Sequence, residues 1–156
     1  METSTSQIYL SKKGMHELKR QIKRLEHSLS SAQRDLRELE KAKGHEERLE
    51  RTEKLAAIDT IAAELSDKKL ILSRAQLLPR RRDTLKVMLG SVVELIDSQG
   101  RMFRYMLVDS LEANPSAGRI SVKSPLGQTL LGKQLQDVVQ WSAGLTTNQL
   151  KLIGIT

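Results

Sequence analysis

The chain has 156 residues, a formal net charge of +7, 38% hydrophobic residues, 3% aromatics and no cysteine. Without cysteine there are no disulfides, thiolate nucleophiles or cysteine zinc sites, and no apolar run approaches the roughly 20 residues that span a membrane. The four aromatics (Tyr9, Phe103, Tyr105 and Trp141) argue against a large aromatic-lined pocket and against a stacking platform for single strands, while the basic balance favours an acidic partner such as RNA, DNA or an acidic protein groove.

Met1 to Gln7 is polar and lacks the apolar core of a signal peptide, so the expected location is cytoplasmic. Ser11 is placed to cap a helix. From Met15 the apolar residues step by three and four: Leu18, Ile22, Leu25, Leu29, Ala32, Leu36, Leu39. This is a heptad seam, and it predicts a long helix over about 11–43. Arg34, Arg37 and Lys41 lie on its polar face toward the far end, either as a solvated face or as an electrostatic contact for nucleic acid. His16 and His27 read as helix-surface residues.

Gly44 breaks the pattern. A second helix is expected over about 47–78, with Leu55, Ile58, Ala62, Leu65, Leu72 and Ala75 in its seam, a polar step at Lys68 and Lys69, and Pro79 as its stop. A short break forces the two helices antiparallel. The alternative is a parallel homodimeric coiled coil. The hairpin is expected over 1–79 with its tip at 44–49, followed by a basic linker over 80–86.

From Gly90 the period changes. Ser91–Ile96, Met102–Val108, Arg119–Lys123, Asp137–Trp141 and Leu150–Ile155 read as strands. Asp97–Gly100 and Asn114–Gly118 read as turns. Ser124 caps a short helix that has Pro125 at its first position, and Gly132 is placed to end it. The expected fold class is α+β in two domains, an antiparallel helical hairpin followed by an antiparallel sheet with one short helix over 87–156.

These residues resemble the bacterial Gre transcription elongation factors across nearly the whole chain. The likeness is carried by Tyr9-Leu10-Ser11-Lys12-Lys13-Gly14, Gly90-Ser91-Val92, Glu112-Ala113-Asn114-Pro115, Ile120 through Gly127, Leu130-Leu131-Gly132-Lys133 and Asp137-Val138-Val139. The resemblance implies an FKBP-like C-terminal domain that docks on RNA polymerase core, with Ser124, Pro125 and Leu126 near the docking surface. It implies a hairpin that enters the polymerase secondary channel, near the RNA 3′ end and the DNA. Two tip carboxylates of the family help hold a second Mg²⁺ at the polymerase active site, so the factor is not itself an enzyme, has no cofactor of its own and shares at most that Mg²⁺. A monomer is expected.

The tip departs from the family pattern Gly-Asp-Leu-Ser-Glu-Asn. Aligned on Gly44, His45 stands at the Asp position and Arg48 at the Glu position. A guanidinium cannot ligate Mg²⁺. Glu46 and Glu47 are the candidate carboxylates if the loop is shifted. The expectation is therefore a polymerase-binding regulator that does not stimulate cleavage, the alternative being a cleavage factor using Glu46 and Glu47. Two readings from other classes are a prolyl isomerase, through the FKBP-like domain, and a structural or RNA-binding coiled coil.

Overall fold

A computed structural model describes residues 7–41, 44, 46–79, 84–143 and 145–156. Ile8–Leu10 form strand β1, Lys12–Leu39 helix α1, Glu46–Arg74 helix α2 and Ala75–Leu77 strand β2, which pairs with β1. Two compact units result, one built on Lys13–Ala75 and the other on Tyr9–Lys12 with Gln76–Thr156.

The α1 seam lies where the heptad requires. Leu18 and Ile22 are buried, and Met15, Leu25, Leu29, Ala32, Leu36 and Leu39 are half-buried. From α2 come buried Leu65 and half-buried Ile58, Ala62 and Leu72. The polar step is filled by a hydrogen bond: Lys68 Nζ donates to Gln21 Oε1 at 3.0 Å. Lys69 pairs with Glu26 at 2.9 Å and Arg51 with Glu40 at 3.1 Å. Gln21 and Glu26, early in α1, meet Lys68 and Lys69, late in α2, while Glu40, just past the end of α1, meets Arg51, early in α2, the mark of an antiparallel hairpin. Being exposed, these pairs each contribute at most about 1 kcal/mol and act mainly on register.

Three sequence expectations need correction. First, α1 ends at Leu39, followed by a turn at Glu40–Lys41, rather than running to residue 43. Second, α2 ends at Arg74 rather than at residue 78. Ala75–Leu77 leave the helix because their backbone finds a partner in β1, and the Leu78 N–H extends the ribbon by donating to the Leu10 carbonyl at 2.9 Å. Third, Leu55 is outside the seam, with 44% of its surface exposed.

In the second unit Val92–Asp97 (β3), Met102–Val108 (β4), Arg119–Ser121 (β5), Val138–Ala143 (β6) and Thr146–Ile155 (β7) form one sheet in the order β5-β4-β3-β7-β6, with helix α3 at Pro125–Leu130. All its ladders are antiparallel except β4–β5, which is parallel, a correction to the wholly antiparallel sheet. Strict alternation in Arg119–Lys123 marks a strand but carries no information on its direction. Val93, Leu95, Leu107, Leu130, Val139 and Leu152 form the centre of a core against which α3 packs its Leu126.

The β3–β4 turn is closed by Asp97. Its carboxylate accepts the backbone N–H groups of Gln99 and Arg101, both at 2.9 Å, and the Arg101 Nε at 2.7 Å. Gly100 supplies the positive φ of +80° that the turn needs. Burial works against the Asp97 charge, but the hydrogen bonds from Arg101 and Gln99 outweigh it and hold the carboxyl below the usual range. A depressed folded-state pKa stabilises the fold above the unfolded value of 3.8. That contribution is lost as the pH falls through the lower folded value. Thermal melts from about pH 5 down to about pH 2 should therefore show a shallower acid loss of Tm in Asp97→Asn than in the parent. Identical slopes would contradict this account of the turn.

The sequence expectation about aromatics also needs revising. Three of the four, Phe103, Tyr105 and Trp141, line a single cavity on the sheet.

Candidate functional site

The hairpin tip is where the sequence places its candidate chemistry, and the start of α2 decides which groups are available there. Glu46 and Glu47 occupy the first helical turn, where carboxylates are favoured by the partial positive charge of the helix N-terminus. Glu46 is exposed and, among the described residues, makes no hydrogen bond or ion pair. Glu47 is half-buried because its carboxylate folds back over the α carbon of Gly44, filling the space that a side chain at position 44 would need. Successive helical residues point about 100° apart, so these two carboxylates do not converge. Arg48 is exposed and its guanidinium has no carboxylate partner among the described residues. Its carbonyl accepts the Thr52 hydroxyl at 3.0 Å. His45 lies outside the described residues.

Among the described residues no group of three His, Cys, Asp or Glu side chains is placed to hold a metal ion. Glu46 is free, the Glu47 carboxylate lies over Gly44 and Arg48 adds a neighbouring guanidinium. The described tip is a mixed-charge surface that can make contacts but has no chelating pair.

Arg34 and Arg37 are exposed on α1, and Lys41 is exposed in the turn that follows it. Arg37 Nε donates to the Gln33 carbonyl at 3.3 Å, and Lys41 pairs with Glu38 at 2.8 Å. An exposed pair of this kind is weak, so both cations remain available to an anionic partner. Arg37, in the last turn of α1, also suits the partial negative charge there. His16 and His27 are both exposed.

The second candidate surface divides into structural and displayed residues. Ser124 caps α3: its Oγ accepts the Gly127 N–H at 3.0 Å and donates to the Ser121 carbonyl at 2.6 Å. Leu126 packs against the core, whereas Pro125 is exposed at the start of α3. Of these three, Pro125 is the exposed one.

Sequence reasoning did not find the role of Glu112. This residue is only 9% exposed and accepts the Ser11 backbone N–H at 2.8 Å and the Ser11 hydroxyl. It therefore ties the residue just before α1 to the short 3-10 turn Ser110–Glu112. The Glu112-Ala113-Asn114-Pro115 block carried the only signal, as a motif without a mechanism.

Residues 82–156 match the family model described as the C-terminal part of transcription elongation factor GreA/GreB. The transcription elongation factor GreA of Chlorobium phaeobacteroides is 34% identical over 139 residues, covering 85% of this chain and 86% of the relative. The GreA of Zymomonas mobilis is 34% identical over 108 residues, covering 67% and 68%. Among solved structures, GreA factor homolog 1 of Thermus thermophilus is 27% identical with a TM-score of 0.43, covering 97% of this chain and 99% of that one.

Proposed function

Because the chain belongs to the GreA/GreB family of transcription elongation factors, we propose that it acts on RNA polymerase core, reaching into the secondary channel with the α1–α2 hairpin and docking through the C-terminal domain. It occupies the channel and modulates elongation without stimulating transcript cleavage. It is not itself an enzyme, works as a monomer, has no cofactor of its own and acts in the cytoplasm. Each helix, at 28 and 29 residues, is about 42–44 Å long at 1.5 Å per residue, a length suited to a narrow pore. Arg34, Arg37 and Lys41 face the RNA 3′ end or the channel wall, where exposed cations meet phosphate. Pro125 is the displayed part of the docking surface, and Ser124 and Leu126 hold it in place.

The observation that carries the non-cleaving reading is the tip: Arg48 is exposed with no carboxylate partner among the described residues, and the Glu47 carboxylate lies over Gly44 rather than beside Glu46. Two Mg²⁺ ions clamp the oxygens of a cleaved phosphodiester, and a nearby guanidinium opposes the second. The exposure of Glu46 favours a second reading, in which it supplies a ligand and cleavage persists. A stalled, backtracked elongation complex separates the two. The chain is expected to bind and leave the RNA length unchanged. Shortening that disappears in the Glu46→Ala, Glu47→Ala double variant would replace the first reading with the second.

A further inference from the structure

The end of the hairpin nearest its tip is built differently from its base. Counted back from buried Leu65 in alternating steps of four and three, the seam positions of α2 are Ile61, Ile58, Lys54, Arg51 and Glu47. The beat is unbroken, but its last three places are charged. Leu55, the nearest apolar residue, is one place out of phase and exposed, as is Leu49. The cross-helix contacts fix what stands opposite. Lys68 meets Gln21 and Arg51 meets Glu40, which puts Lys54 level with Leu36 and Arg51 level with Leu39. The apolar seam of α1 runs on to Leu39 and therefore faces charge over its last two places.

The base has the opposite character. Leu18, Ile22 and Leu65 are the buried residues of the two helices, and all three belong to it. Its polar seam residue, Lys68, is answered across the interface by Gln21 at 3.0 Å. Lys54 has no such partner among the described residues; its contact is with Glu50 on its own helix, at 3.9 Å. A lysine in this place lays its carbon stem along apolar surface and keeps its ammonium in water, so it cannot close over Leu36 as a leucine would. Leu36 and Leu39 accordingly stay half-buried. Among the described residues the cross-helix ion pair at this end is Arg51 with Glu40, and an exposed pair of this kind holds little.

We propose that the distal third of the hairpin, residues 33–41 with 46–55, opens and closes as a local unit while the base stays zipped, and that the charges at Lys54 and Arg51 set how readily it opens. Segments with few buried apolar contacts open at far lower free energy than a packed core. The result is a hairpin whose base fixes its direction while its end adjusts to the surface it meets. The inference concerns the free chain and does not rest on the polymerase reading.

Hydrogen exchange of the full-length protein, read by mass spectrometry on peptic fragments, tests this. Fragments within 33–40 and 50–57 are expected to exchange at least about a hundredfold faster than fragments within 17–25 and 62–70. Fraying of helix ends would give part of that gradient, so the deciding variant is Lys54→Leu. A leucine there completes the apolar seam and should slow exchange in both distal fragments about tenfold, with the base unchanged. Arg51→Leu, at the next seam place, should act in the same direction although it loses the Glu40 pair. Lys68→Leu makes the same substitution in the base and should leave the distal rates alone. The proposal is overturned by equal protection along the hairpin, by distal rates indifferent to both Lys54→Leu and Arg51→Leu, or by distal rates that follow Lys68→Leu as closely as Lys54→Leu.

Discussion

The double variant His45→Asp, Arg48→Glu should shorten backtracked RNA, which the parent is expected to leave intact. Electrostatics make this the largest functional effect expected of any exchange in the protein. A unit positive charge about 5 Å from a divalent cation, at an effective dielectric near 20, opposes it by on the order of 6 kcal/mol before screening. Even with most of that screened, replacing Arg48 by a carboxylate should raise the cleavage rate at least about tenfold, since each 1.4 kcal/mol is a factor of ten. The substitution should cost little stability. Arg48 is exposed, and its contact with Thr52 is made by its backbone carbonyl, which the variant keeps. The check is RNA length in a stalled complex at matched occupancy of polymerase. Unchanged RNA with the double variant fully bound would show that the tip charges do not decide the matter.

Gly127→Ala should destabilise the C-terminal domain by about 2–4 kcal/mol, through overpacking with the loss of at least one hydrogen bond. A Cβ at this position would run into the Ser121 carbonyl oxygen, a backbone atom with no room to retreat. That carbonyl accepts both the Ser124 N–H at 3.0 Å and the Ser124 hydroxyl at 2.6 Å, so any shift breaks the cap of α3. The Ser121 hydroxyl is itself tied to Ser110 at 2.8 Å. Pro125→Ala is the contrasting change: Pro125 is exposed, so its loss should leave melting nearly unchanged and weaken polymerase binding. Denaturant unfolding of the two variants beside the parent checks both expectations. A change below about 0.5 kcal/mol in Gly127→Ala, the scale of an ordinary surface substitution, would contradict the steric argument.

How far the sequence could be read depended on whether the deciding contact was local. The α1 seam was legible because Met15 through Leu39 never misses a step of three or four, and burial follows it residue by residue. The α3 cap was legible for the same reason, since Ser124, Pro125 and Gly127 are adjacent. The end of α2 was not. Ala75 continues the apolar beat, and only pairing with Ile8–Leu10, more than sixty residues away, turns it into a strand. The parallel direction of β5 and the Ser11–Glu112 bond, whose partners are 101 residues apart, were hidden in the same way. That Phe103 and Tyr105 share a face follows from their spacing on one strand. Their meeting with Trp141 depends on the registers of β4, β3, β7 and β6 together. At the tip the exchange of acid for base was plain from the letters alone. Which glutamate stands free was not, because that depends on the helix starting at Glu46 and on Glu47 closing over Gly44.

The most direct test of the central claim, that the hairpin tip works inside the polymerase channel, is photocrosslinking from Leu49. This residue is 69% exposed beside the tip, so a benzoylphenylalanine there should leave the fold intact. Bound to an elongation complex, it is expected to crosslink to polymerase segments lining the channel near the active centre. Efficient binding with crosslinks confined to the outer surface of the polymerase, or with none at all, would contradict the account.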